Sequence, residues 1–97
     1  MAAVVYSARA LDDLERAFES IAQNDPGNAL DAAAAIQSAV SALAAHPLIG
    51  RRLERDLREL VISFGKSGYV ALYRFIPHLE VVRVLATRHQ RELDYPE

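Results

Sequence analysis

The chain has 97 residues, of which 52% are hydrophobic, with 11 basic and 13 acidic residues, a net charge of −2 at pH 7 and no cysteine. That length fits one domain with one core over residues 1–97 and leaves little material for an enclosed active site. The hydrophobic share excludes a disordered chain, and the absence of Cys excludes disulfide scaffolds and thiolate metal sites.

Ala3–Tyr6 is short and β-prone, a first strand. Ser7 then offers a hydroxyl as a helix N-cap. Behind it Ala10, Leu11, Leu14, Phe18, Ile21 and Ala22 recur at three- and four-residue spacing, with Arg9, Asp12, Asp13, Glu15, Arg16 and Glu19 on the other side. This periodicity predicts an amphipathic helix, with Asp12 and Asp13 near its start suited to the helix dipole. "NDPGN" stops it, and Asp25–Pro26 starts a second helix with Asp as cap and Pro in the first turn. Ala29, Ala33, Ile36, Val40 and Leu43 line one face of that helix, and His46–Pro47 ends it.

After Gly50 the period changes to two. Leu60, Ile62 and Phe64 alternate with Glu59, Val61 and Ser63, and Tyr69–Ile76 and Leu79–Thr87 are β-rich runs joined at Pro77–His78. A short extra strand near Arg51–Glu54 would complete the order β-α-α-β-β-β. The fold class expected is α+β, with an N-terminal helix hairpin packed on a three- or four-stranded antiparallel sheet.

The charge is uneven. Residues 1–50 hold two basic and six acidic residues, a net −4, whereas residues 51–97 are net +2. Most of the positive charge of the last strands is arginine: Arg58, Arg74, Arg83, Arg88 and Arg91, with His89 beside them. A two-residue turn at Pro77–His78 would put Arg74 opposite Val81 and Leu72 opposite Arg83, so that Arg74 and Arg83 stand diagonally on one face, with Arg58 able to join them. Tyr73, Phe75, Val82 and Val84 would then face the helices. The arginines either bind an anionic partner or pair internally with Glu59, Glu80, Glu92 and Asp94.

Other chemistry finds little support. "GKS" at Gly65–Ser67 has Leu60 where a phosphate loop needs its first Gly, and no helix follows, so it reads as a hairpin turn. His46, His78 and His89 lack paired ligand spacing, so no metal site is expected, and no serine sits at a strand-to-helix elbow. The pI of about 5.9 argues against direct sequence-specific binding of nucleic acid. "MAAVVYSARA" lacks the basic start and long apolar run of a signal peptide, and no stretch of about 18 apolar residues could span a membrane, so a cytoplasmic location is expected.

"YSARALDDLERAFESIA", "ALDAAAAIQSAVSALAAHPLIGRRL", "LRELVISFGKSGYVALYRF" and "LEVVRVLATRHQRELDY", in that order, resemble the RelE/ParE toxins of bacterial type II toxin–antitoxin (plasmid stabilisation) systems. The resemblance implies a toxin neutralised by a cognate antitoxin, with no cofactor. RelE-like members cleave mRNA on the ribosome, and ParE-like members poison DNA gyrase without catalysis. The RelE-like cleavage set implies lysines where Val61 and Ser63 stand and an arginine where Val70 stands; Arg91 and Tyr95 match its terminal pair. The missing strand cations place the chain closer to ParE-like members, with no catalytic residue. The alternatives are an mRNA endoribonuclease, or a decayed, non-toxic member kept as an interaction module. Two surfaces follow as expectations. Arg58, Arg74, Arg83, Arg88, His89 and Arg91 would contact target or antitoxin, and Ala29, Ala33, Ile36 and Val40 would seat the antitoxin.

Overall fold

The structure is a computed structural model and describes residues 1–64 and 67–90. Its elements run β1 (Ala3–Tyr6), α1 (Ala8–Ala22), α2 (Pro26–Ser41), β2 (Arg51–Arg52), β3 (Leu57–Phe64), β4 (Ser67–Ile76) and β5 (Val81–His89). The helix hairpin and the α+β class are as expected. The sheet has five strands in the order β1-β5-β4-β3-β2, and it is mixed: β1 lies parallel to β5 while the other neighbours are antiparallel.

Both helices start where the sequence places a cap. Ser7 Oγ accepts from the Ala10 N–H at 3.0 Å, and an Asp25 carboxylate oxygen accepts from the Asn28 N–H at 3.1 Å. The first turn of α1 holds no acidic residue, so Asp12 and Asp13 fall too far along to serve the dipole as expected. Asp13 has another task. Its side chain is only 6% exposed, it pairs with Arg16, and it accepts the backbone N–H of Thr87 at 3.0 Å. Ser7 donates its hydroxyl to the Leu85 carbonyl at 3.0 Å, and its N–H bonds the Val84 carbonyl at 2.9 Å. Residues of the β1–α1 corner thus satisfy the margin of β5 beyond the end of β1.

α1 lies over β5 and α2 over β3. The core between helices and sheet holds Ala10, Ile36, Val40, Leu43, Ile62, Tyr69, Ala71, Tyr73, Val82 and Val84. Tyr73 joins it to the α2–β2 connection, donating to the Pro47 carbonyl at 2.9 Å and accepting from the Gly50 N–H at 2.8 Å. On α2 the buried stripe is Ala29, Ala32, Ile36 and Val40. Ala32 is buried with them, whereas Ala33 is exposed although helical spacing puts it on the same side of α2.

The β4–β5 connection departs from the expected turn. Pro77–Leu79 form a short 3₁₀ turn closed by Glu80 in the left-handed region, φ 53°. Two-residue hairpin turns need a positive φ in the first or both central positions, which the proline ring forbids at Pro77. The register therefore slips by two residues from the expectation: Ile76 pairs with Val81, and Arg74 pairs directly with Arg83. An even slip preserves the faces, so Tyr73, Phe75, Val82 and Val84 still point at the helices. A bulge follows, with Tyr73 opposite Val84 but Leu72 opposite Ala86. Leu85 is the extra residue, and beyond it Thr87 and His89 take the helix side that unbroken alternation would have given to Ala86 and Arg88.

Candidate functional site

The face of the sheet turned away from the helices carries the first candidate surface. Val5, Arg83, Arg74 and Leu57 are register partners across β1, β5, β4 and β3 and form one row. Arg88, Val70 and Val61 form another row, in which Val70 is buried, Arg88 half-buried and Val61 exposed. In a row between them stand Ala86, Leu72, Glu59 and Arg51. Arg51 Nε donates to Glu59 at 2.8 Å, and the same pair closes an ion pair. Glu59, one of the acids expected to neutralise the cluster, is therefore taken by an arginine the sequence reading passed over. Glu92 and Asp94 lie outside the described residues.

The structure brings together only part of the expected basic set. Arg74, Arg83 and Arg88 share the uncovered face. Arg58 does not join them, because it pairs with Tyr73 on the helix side, and its guanidinium donates to the carbonyls of Leu48 at 3.2 Å and Gly50 at 2.9 Å. It holds the α2–β2 connection rather than facing a partner. His89 is likewise on the helix side, its ring edge-on to Tyr69 with centroids 5.2 Å apart and planes at 81°. The bulge at Leu85 put it there. Arg91 lies outside the described residues, as does Tyr95.

The second candidate surface is a pocket of about 390 Å³ between α1, α2 and the sheet. Ala29, Ala33, Ile36 and Val40 all line it. Ala29, Ile36 and Val40 are 0%, 4% and 1% exposed and form its wall, while Ala33 stands at its mouth. The other wall is α1, through Leu11, Leu14 and Phe18, with Tyr6 and Tyr69 on the sheet side. The sequence marked Leu11, Leu14 and Phe18 only as the apolar side of an amphipathic helix. A run of alanines on α2 leaves space beside it, and the large side chains across from that run become its wall. Leu11 and Phe18 remain 54% and 38% exposed. Burial raises the hydroxyl pKa of Tyr6 and of Tyr69 above the usual tyrosine value, so both stay protonated donors. Apolar walls with a few polar groups suit an apolar side chain or helix face.

At the positions where mRNA cleavage would want strand cations, Val61 stands directly opposite Val70, and Ser63 is opposite Gly68, on the uncovered face. Val61 is 52% exposed. Among the described residues no group of three or more His, Cys, Asp or Glu is placed to hold a metal ion, and no helix is long and apolar enough to cross a membrane.

Residues 4–94 match the family described as ParE toxin of type II toxin-antitoxin system, parDE. The chain is 36% identical over 92 residues to Toxin RelE3 of Caulobacter vibrioides, covering 95% of this chain and 98% of that protein. It is 32% identical to Toxin RelE1 of the same organism over 91% of this chain and 96% of that one. Among solved structures, the chromosomal ParDE system of P. aeruginosa superposes with a TM-score of 0.75 at 22% identity, over 92% of this chain and 96% of that one. The intact E. coli RelBE toxin–antitoxin complex superposes at 0.63 and 15% identity, over 91% and 95%. A helix hairpin on one side of a mixed sheet and near-complete coverage on both sides of each comparison agree: the chain belongs to the ParE toxin family of type II toxin–antitoxin systems, within the wider RelE/ParE group.

Proposed function

We propose that this toxin acts by inhibiting DNA gyrase, without catalysis of its own, and is neutralised by a cognate antitoxin whose apolar segment seats in the pocket between α1 and α2. The observation that carries the non-catalytic reading is the Val61–Val70 pair on the sheet face turned away from the helices, where Val61 is exposed and Val70 is buried. Phosphodiester cleavage needs cations against the phosphate and a positioned proton donor and acceptor. An exposed valine opposite a second valine supplies neither. The match to the ParE family supports the same direction. The names of the two Caulobacter relatives favour a second reading, a RelE-type mRNA endoribonuclease.

A supercoiling assay with purified gyrase and the free toxin separates the two. Lost supercoiling with ribosome-bound mRNA left intact is the expected result. Codon-specific mRNA cleavage with untouched gyrase would overturn it. For the antitoxin, co-expression with the product of the adjacent small reading frame should give a complex that stays together at micromolar concentration, and Ala33→Glu at the pocket mouth should weaken it.

A further inference from the structure

Arg74 and Arg83 face each other directly in the β4–β5 ladder, at a Cα separation of about 4.5–5.5 Å for an antiparallel pair. Both are exposed, and among the described residues neither side chain has a hydrogen bond or an ion pair. Like charges directly opposite one another destabilise a sheet. The acidic residue of the next row, Glu59, is already bonded to Arg51 and does not relieve them. Among the described residues, then, nothing neutralises this guanidinium pair.

The surroundings indicate what would sit there. Val5 and Leu57 flank the pair in its own row, and Val81, Ile76 and Leu72 stand in the rows beside it. Val5 is 47% exposed. No aromatic side chain stands on this face among the described residues, so it offers no platform for stacking bases. Two planar guanidinium forks match carboxylate oxygens, and the aliphatic border matches apolar side chains on either side of an acid.

We infer that Arg74 and Arg83 form a single two-guanidinium site for a carboxylate side chain, carried on an apolar, acidic segment of the protein that this toxin inhibits. The inference rests on reading the chain as a poison of a protein target. It goes beyond that reading in separating the two surfaces: the target takes the arginine face, and the antitoxin takes the helix pocket on the other side of the sheet.

The test compares the parent with the double variant Arg74→Gln, Arg83→Gln in three measurements. Inhibition of purified gyrase should fall by about 30-fold, the loss of one hot-spot contact. Co-purification with the product of the adjacent reading frame should persist. The melting temperature should rise by about 2–4 °C as the repulsion is removed, an effect a structural role would not produce. Unchanged inhibition overturns the proposal, as does a lower melting temperature or a folded variant that has lost antitoxin as well. A fluorescent single-stranded RNA of 20 nucleotides that binds the parent and not the variant, with inhibition intact, reassigns the pair to nucleic acid and also overturns it. If the parent leaves gyrase untouched, the gyrase reading fails on its own, and growth arrest on induction becomes the readout. Arrest lost in the variant at equal soluble level then supports the site, and arrest retained overturns it. A parent with neither activity overturns both readings.

Discussion

The two faces of the sheet come from the same strands and differ in everything else. On the helix side Tyr73, Val82 and Val84 are each 0% exposed, and among the described residues no buried side-chain polar atom lacks a partner. On the other side, one residue away in each strand, stand Arg74 and Arg83, opposed and with no ion pair among the described residues. Strand alternation makes this separation available to any sheet. What it teaches is that the helix face holds the buried core while the other face is buried only in part, at Val70 and Ala86, so substitutions at the exposed positions of the second face should differ in size from those on the first, and in places in sign.

The sharpest way to break that comparison is Tyr73→Ala. It empties a core site and leaves Gly50 N–H and Pro47 C=O without their shared partner, and should lower stability by about 3–5 kcal/mol, read from urea unfolding. Gly50→Ala comes next. Its new Cβ would lie 2.6 Å from the Tyr73 hydroxyl and 2.7 Å from the Glu59 carbonyl, an overlap with a cost of about 1–3 kcal/mol by the same measurement. Asp13→Ala strands the buried Thr87 N–H and should cost about 2 kcal/mol, with faster amide exchange at Thr87 than in the parent.

The tyrosines sharpen the comparison through pH. Tyr6 and Tyr69 have raised values in the folded state, so the native protein holds these protons more tightly than the unfolded chain does. The sign follows: their contribution is intact below about pH 10 and is lost as pH rises through the folded values. The urea midpoint should therefore hold between about pH 7 and 9 and fall above 10, and Tyr6→Phe with Tyr69→Phe should flatten that fall. Val61→Thr on the uncovered face should change stability by no more than about 0.5 kcal/mol, and a larger change would mean that this exposed position is not free of structural duty.

Much of the covered face was readable from the sequence. Helical spacing placed Leu14, Ile36 and Val40, the caps at Ser7 and Asp25 placed both helix starts, and alternation placed Tyr73 and Val84. The uncovered face was not, because its arrangement depends on register. Pro77 moved the pairing by two residues and turned a diagonal arginine pair into a direct one. The bulge at Leu85 sent His89 to the helix side, and no local pattern in "VRVLATRH" marks where the extra residue falls. Arg58 was misplaced for a different reason. Alternation puts it in phase with Leu60 and Ile62, on the helix side and away from Arg74 and Arg83, and that phase was not carried through to Arg58. Its hydrogen bonds to Leu48 and Gly50 depend in addition on where a distant connection comes to rest.

The parallel pairing of β1 with β5 has a consequence in time. Ala3 finds Val81, Ser7 finds Leu85 and Asp13 finds Thr87, contacts that span more than seventy residues each. During synthesis at about 5–20 residues per second, the first strand and both helices are made before the strand that receives them exists. The helix hairpin can form early from local contacts, while the sheet must close a long loop last, which makes folding slow relative to an all-helical chain of this size. Until then β1 is an apolar edge with no neighbour, open to wrong pairing. The Arg74–Arg83 pair needs no such closure: it belongs to the β4–β5 hairpin, whose partners are near in sequence, so the arginine face can form while the edge of β5 still waits for β1.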